Sequence, residues 1–102
     1  MTLKEFDSKW SSVNVDEMSD EELIAFKNDC FEMYEDGGFL DVFDSPYDDN
    51  REHNGMHFNV IKRATSEEVD IEALPLWFIE FENGDTAYCY PEEITKIEKN
   101  KN

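Results

Sequence analysis

Leu3, Phe6 and Trp10 recur at helical spacing behind Thr2, and Glu5 lies three residues after that threonine. A threonine that caps the third backbone amide, with a glutamate reaching back to it, forms a capping box. The pattern predicts a short helix over about 2–11, ending near Ser11–Ser12. Ser19 and Glu22 repeat the device. They open a longer helix over about 19–36, which stops at Gly37–Gly38, where a left-handed cap suits glycine. At about 100° per residue, Leu23, Phe26, Cys30, Met33 and Tyr34 form one stripe, broadened by Ile24 and Phe31. Glu22, Asp29, Glu32 and Asp36 fall on the opposite side, with Glu21 and Glu35 at its edge.

Residues 39–55, FLDVFDSPYDDNREHNG, break the helical period and read as an irregular or partly extended connection. Leu40 and Val42, with Phe39 and Phe43, have the makings of a short strand before the Ser45–Pro46 turn. Met56, Phe58 and Val60 then alternate with His57 and Asn59, which predicts a strand over 56–63. After a loop over 64–73, LWFIEF (76–81) and TAYCY (86–90) flank Asn83–Gly84, a strong signal for a two-residue hairpin. That turn sets Phe81 opposite Thr86, Ile79 opposite Tyr88 and Trp77 opposite Tyr90, with Phe78 and Cys89 on the other face. Both faces are largely apolar, so the hairpin is expected at the centre of a sheet covered on both sides. PEEI (91–94) reads as a turn leading to Ile97, and 98–102 as a frayed polar tail.

The fold class is therefore α+β, in one domain over 1–102. Helices over about 2–11 and 19–36 make a helical part (1–38). It packs on a small antiparallel sheet or barrel (56–97) built round the hairpin 76–90, with an acidic connection (39–55) between. The order NGMHFNVIKR, loop, PLWFIEFENG, TAYCYPEEI is similar to the closing half of Src-homology-3-like small barrels. There a strand, a loop, a tight hairpin and a helical turn follow in that sequence. The resemblance covers about 55–97, implies a ligand-binding module more than an enzyme, and carries over no binding residue.

Charge changes the picture more than length does. The 102 residues are enough for one modest core, and 39% hydrophobic with 14% aromatic residues can supply it. The net charge of −17 exceeds what solubility asks. Such a field repels nucleic acid and anionic membrane and attracts basic surfaces. Residues 1–50 hold 15 acids against 3 bases, and 51–102 hold 11 against 6, so the first half carries most of the field. On the long helix only Lys27 is placed to pair along the surface, where a solubilising helix interleaves bases with its acids. Residues 28–50 combine eight carboxylates with five aromatics and no Lys or Arg. Disordered acidic tails are poor in aromatics, so this stretch belongs to the folded part.

Candidate chemistry is sparse. Cys30 and Cys89 fit no metal or redox spacing and read as buried thiols. MTLKEFDSKW has no apolar signal core, and no run approaches membrane-spanning length, so a cytoplasmic protein is expected. His53 and His57 straddle Asn54–Gly55, and a Cys89–His57 nucleophile pair requires neighbouring strands. An EF-hand reading from Asp48 meets His53 where glycine is needed, and one from Asn50 meets Ile61 where glutamate is needed. This leaves at most weak calcium contact near Asp44, Asp48 and Asp49. No phosphate-binding glycine loop and no basic patch is present. A glycosidase-like carboxylate pair has no cleft to work in at this length.

The reading is thus a non-enzymatic protein with no catalytic residue, no metal and no cofactor. In size and charge it resembles immunity proteins against nuclease toxins and phage-encoded inhibitors of restriction or CRISPR nucleases. That resemblance implies a basic, nucleic-acid-handling protein as partner, held by acids that imitate a phosphate array. The candidate contact residues are Asp29, Glu32, Glu35, Asp36, Asp41, Phe43, Asp44, Tyr47, Asp48 and Asp49, with Phe43 and Tyr47 as exposed aromatic anchors. The alternative is a small-barrel adaptor or housekeeping domain whose acidity serves only solvation.

Overall fold

The computed structural model describes residues 1–96, so the expected tail over 98–102, and Ile97 before it, lie outside the described residues. Two helices, α1 (Leu3–Trp10) and α2 (Asp20–Gly37), precede an antiparallel sheet of β1 (Phe58–Arg63), β2 (Trp77–Phe81) and β3 (Thr86–Cys89). A single turn of helix, α3 (Pro91–Ile94), follows. Both capping boxes form as the sequence predicts, from Thr2 with Glu5 and from Ser19 with Glu22. Gly38 ends α2 with φ 94, a backbone angle that disfavours any side chain. The class is α+β.

The sheet order is β1-β2-β3, so the hairpin supplies the central strand. Its register differs from expectation by one residue. Trp77 faces Cys89, Phe78 faces Tyr88, Ile79 faces Ala87 and Glu80 faces Thr86. The turn holds three residues, not two: the Gly84 amide donates to Phe81 O and the Phe81 amide to Asp85 O, with Gly84 at φ 93. This is a tight turn closed by a left-handed residue, the usual three-residue hairpin loop. A one-residue slip exchanges faces. Cys89 therefore joins Trp77 and Ile79 on the buried face, while Tyr88 joins Phe78 outside. The hairpin is covered on one face only, since Tyr88 is 40% exposed and Phe78 half-buried.

No continuous ladder closes a barrel among the described residues. The connection after α2 spans the gap between β1 and the chain beyond β3 through two isolated bridges, Val42↔His57 and Phe39↔Thr95. Single hydrogen bonds reinforce this path: Leu40 N to Ile94 O, Phe43 N to Met56 O and Asp44 N to Glu93 O. Within it, residues 48–53 wind into a 3₁₀ turn instead of extending.

Trp77 is the centre of the core, with 0% exposure. Phe31, Tyr34 and Phe39 meet its ring edge-on at centroid distances of 5.0, 6.2 and 5.8 Å. Such edge-to-face pairs add about 0.5–1.5 kcal/mol beyond area burial. Cys30, Phe31, Met33 and Tyr34 are buried as their stripe predicts, whereas Ile24 faces solvent. Both cysteines are buried and free. No helix is long and apolar enough to cross a membrane among the described residues.

Candidate functional site

The acids expected along the outside of α2 divide into two groups. Asp29 is buried, at 8% exposure. Its carboxylate accepts from the Trp10 indole at 2.9 Å and pairs with Lys9 Nζ at 2.7 Å, which fastens α1 to α2. Phe26 completes the seam against Phe6 and Trp10, at 5.6 and 5.0 Å. On the other flank, Glu35 receives Arg63 through two hydrogen bonds, at 2.9 and 2.5 Å, and the Trp77 indole at 2.8 Å. Glu35 thus joins α2 to β1 and β2. Both residues leave the expected contact face for a physical reason. They flank the apolar stripe, within reach of cations and indoles from neighbouring elements. Burial raises both carboxyls, but the hydrogen bonds and charge of Lys9 with Trp10, and of Arg63 with Trp77, outweigh it and hold them below their usual range.

What remains outside on α2 is a sparse stripe. Glu32 and Asp36 are exposed, with Ala25 and Asn28 interrupting the run back to Glu21. Asp36 pairs with the Met1 amino group. The exposed acids of α2 thus fall into two separated groups, Asp20, Glu21 and Glu22 in its first turn and Glu32 with Asp36 near its end, and a further exposed group lies in the connection.

There Asp41, Asp44, Asp48 and Asp49 are all exposed, and Asp48 pairs with Arg51 at 3.3 Å. Phe43 is not among them. It is 1% exposed, with its ring edge-on to Phe81 at 4.9 Å, and two backbone bonds to Gly55 and Met56 hold it inward. The neighbouring acids gave it the look of a surface residue, but the bridge at Val42 turns it under the sheet. Tyr47 is exposed, at 41%, and meets Tyr90, at 43%, with ring centroids 5.8 Å apart. Its hydroxyl donates to Glu92, which pushes Tyr47 up to about 12.

The connection is held in place by a residue that pattern reading missed. Glu93, in PEEI, is 0% exposed. Its Oε2 accepts from the Ser45 hydroxyl at 2.6 Å and the Asn50 amide at 2.9 Å, and its Oε1 accepts from the Tyr90 backbone at 2.8 Å. Asn54 adds two bonds to the Ser45 backbone, at 2.7 and 3.1 Å. A glutamate three residues past Tyr90 and two past Pro91 is a helix-start signature. That signal was available; its burial was not.

The histidines are separated. His53 contacts Asp85 at 2.9 Å and stacks on Phe81 at 4.2 Å, while His57 Nδ1 lies 3.1 Å from Asp41 O. Cys89 sits on β3, with β2 between it and the His57 side of the sheet. Burial pushes its thiol up to about 12 and that of Cys30 up to about 11. This is the opposite of an activated nucleophile. Among the described residues no group of three or more His, Cys, Asp or Glu is disposed to hold a metal ion, so Asp44, Asp48 and Asp49 do not converge.

Comparison with protein-family models, with curated proteins and with solved structures gives no match.

Proposed function

We propose that this chain is a non-enzymatic cytoplasmic interaction protein whose acidic connection binds a basic surface of a nucleic-acid-handling protein, blocking it. The observation that carries this reading is how the basic side chains are used. Lys9 goes to Asp29, Arg63 to Glu35 and Lys62 to Glu68 at 2.7 Å. Lys27 is turned onto the Leu74 carbonyl at 2.8 Å. These four cations serve the flanks and seams. Of the Lys and Arg in ion pairs, Arg51 alone sits in the connection, on Asp48, and Glu32, Asp41, Asp44 and Asp49 have no ion pair among the described residues. Aligned like charges raise the free energy of the isolated protein, and a basic partner relieves it. Glu93, Ser45 and Asn50 fix the connection beforehand, so little ordering cost falls on binding. Tyr47 and Tyr90 supply exposed aromatic contact beside the charges.

The test is a pull-down from lysate at low and high salt, with mass-spectrometric identification. The parent should capture a basic protein at low salt and release it to high salt or to added duplex DNA. A variant carrying Glu32→Lys, Asp41→Lys, Asp44→Lys and Asp49→Lys should stay folded by circular dichroism and capture none. If it retained every partner, the acidity would be serving solvation alone, as in a small-barrel adaptor.

A further inference from the structure

A groove of about 510 Å³ opens between α1 and α2 on one side and the segment before β2 with α3 on the other. Its walls are Phe26, Cys30 and Met33 from α2, Leu74 and Pro75, and Pro91 from α3. The volume is that of a ligand or side-chain pocket, not a packing defect. The groove is lined by apolar and polar groups in similar measure, and its α3 end is anionic. Glu92 lines it, and while Oε2 accepts from Tyr47, Oε1 is buried with no hydrogen-bond donor among the described residues. Native structures rarely leave such an atom unpaired, and a carboxylate oxygen least of all. Tyr34 also lines the groove; burial, with Cys30 and Glu92 nearby, pushes it up to about 12, so it stays a neutral hydroxyl. Glu72 lies on the same groove. Lys27, the one cation lining it among the described residues, is directed at backbone carbonyls. Tyr90 lines the groove and touches Tyr47, so the rim continues into the acidic connection.

We propose that this groove takes a large apolar side chain of a partner polypeptide, with an adjacent Arg or Lys delivered to Glu92. The apolar group fills the space against Cys30, Met33 and Leu74. The terminal torsion of a glutamate is soft, so a small turn of the carboxylate presents Oε1 to the incoming cation. Charge complementarity selects a basic occupant over an acidic one, and the apolar walls select a bulky neighbour. The inference rests on the preceding reading only in taking the partner to be a basic polypeptide.

The probes are three capped dipeptides, acetyl-Trp-Arg-amide, acetyl-Trp-Glu-amide and acetyl-Ala-Arg-amide, titrated into the isotope-labelled protein at physiological salt. The Trp-Arg peptide should shift resonances of Phe26, Cys30, Met33 and Tyr90, and bind about tenfold more tightly than either control. Glu92→Gln, which keeps an acceptor for Tyr47, should remove that advantage over Trp-Glu. Ala73 also lines the groove, and Ala73→Leu, which narrows it, should weaken both Trp peptides alike. The four-lysine variant of Glu32 and the acidic connection should still prefer Trp-Arg, which separates this proposal from the one above. Shifts absent from the groove, confined to the connection, or equal for Trp-Arg and Trp-Glu would overturn it.

Discussion

Glu93 shows how much one side chain decides here. It is a fully buried carboxylate with neutral donors on both oxygens, and it bridges α3 to the acidic connection. Removing it leaves Ser45, Asn50 and the Tyr90 amide without their acceptor at a buried or half-buried position. Glu93→Ala should therefore cost about 2–4 kcal/mol in urea unfolding, and should raise amide exchange over 44–54. Glu93→Gln should cost less than Glu93→Ala, because the amide oxygen still accepts from one group of donors. Its NH2 faces the other group donor to donor, so part of the loss remains. Asp29 and Glu35 act differently, through cations. Their folded pKa values lie below the usual range, so their stabilisation is fully present above the unfolded values, about 3.9 and 4.3. It is lost as pH falls through the folded values. Stability of the parent should drop below about pH 4, and Asp29→Asn with Glu35→Gln should flatten that acid limb in pH-dependent denaturation.

The elements repeat this division between what pattern reveals and what contacts decide. Helix existence, caps, the strand segments and the α+β class were legible because capping boxes and periodicity are local signals. The hairpin register was not. Asn83–Gly84 fits both two- and three-residue turns, and Gly84 takes φ 93 in the longer one. A Cβ there would meet nothing within 4 Å, so Gly84→Ala should cost about 1–2 kcal/mol through backbone strain alone, read as a lower thermal midpoint. The same locality explains the candidate site. Asp41, Asp44, Tyr47 and Asp49 stay exposed, since a turn-rich connection does present its polar groups. Phe43 and Asp29 do not, because burial depends on partners distant in sequence: Phe81 for one, Lys9 and Trp10 for the other. α1 itself depends on that last contact and on the Phe26 seam. Asp29→Ala should cost about 2 kcal/mol and release α1, seen as faster amide exchange over 3–10 with the sheet unchanged.

At the scale of the whole molecule two electrostatic effects oppose each other, and their ranges decide the outcome. A net charge of −17 sits on a body with a radius of gyration of 14.2 Å. At about 10 mM salt the screening length, about 30 Å, exceeds that radius, so acids across the surface repel one another; at about 0.1 M it falls to about 10 Å and only neighbours do. Salt also weakens ion pairs, but here unequally. The exposed Asp48–Arg51 pair contributes little in any medium, while Asp29–Lys9 and Glu35–Arg63 are short-range contacts with partly buried acids and respond less. Long-range repulsion therefore loses more than short-range attraction does. The thermal midpoint should rise by about 5 °C between 10 mM and 300 mM potassium chloride, the equivalent of about 1 kcal/mol for a chain this size. The four-lysine variant, with eight fewer net negative charges, should start higher and gain less. A midpoint that falls with salt would mean that the ion pairs, not the acidic field, dominate the charge energetics. The cost that a basic partner is proposed to relieve would then be absent.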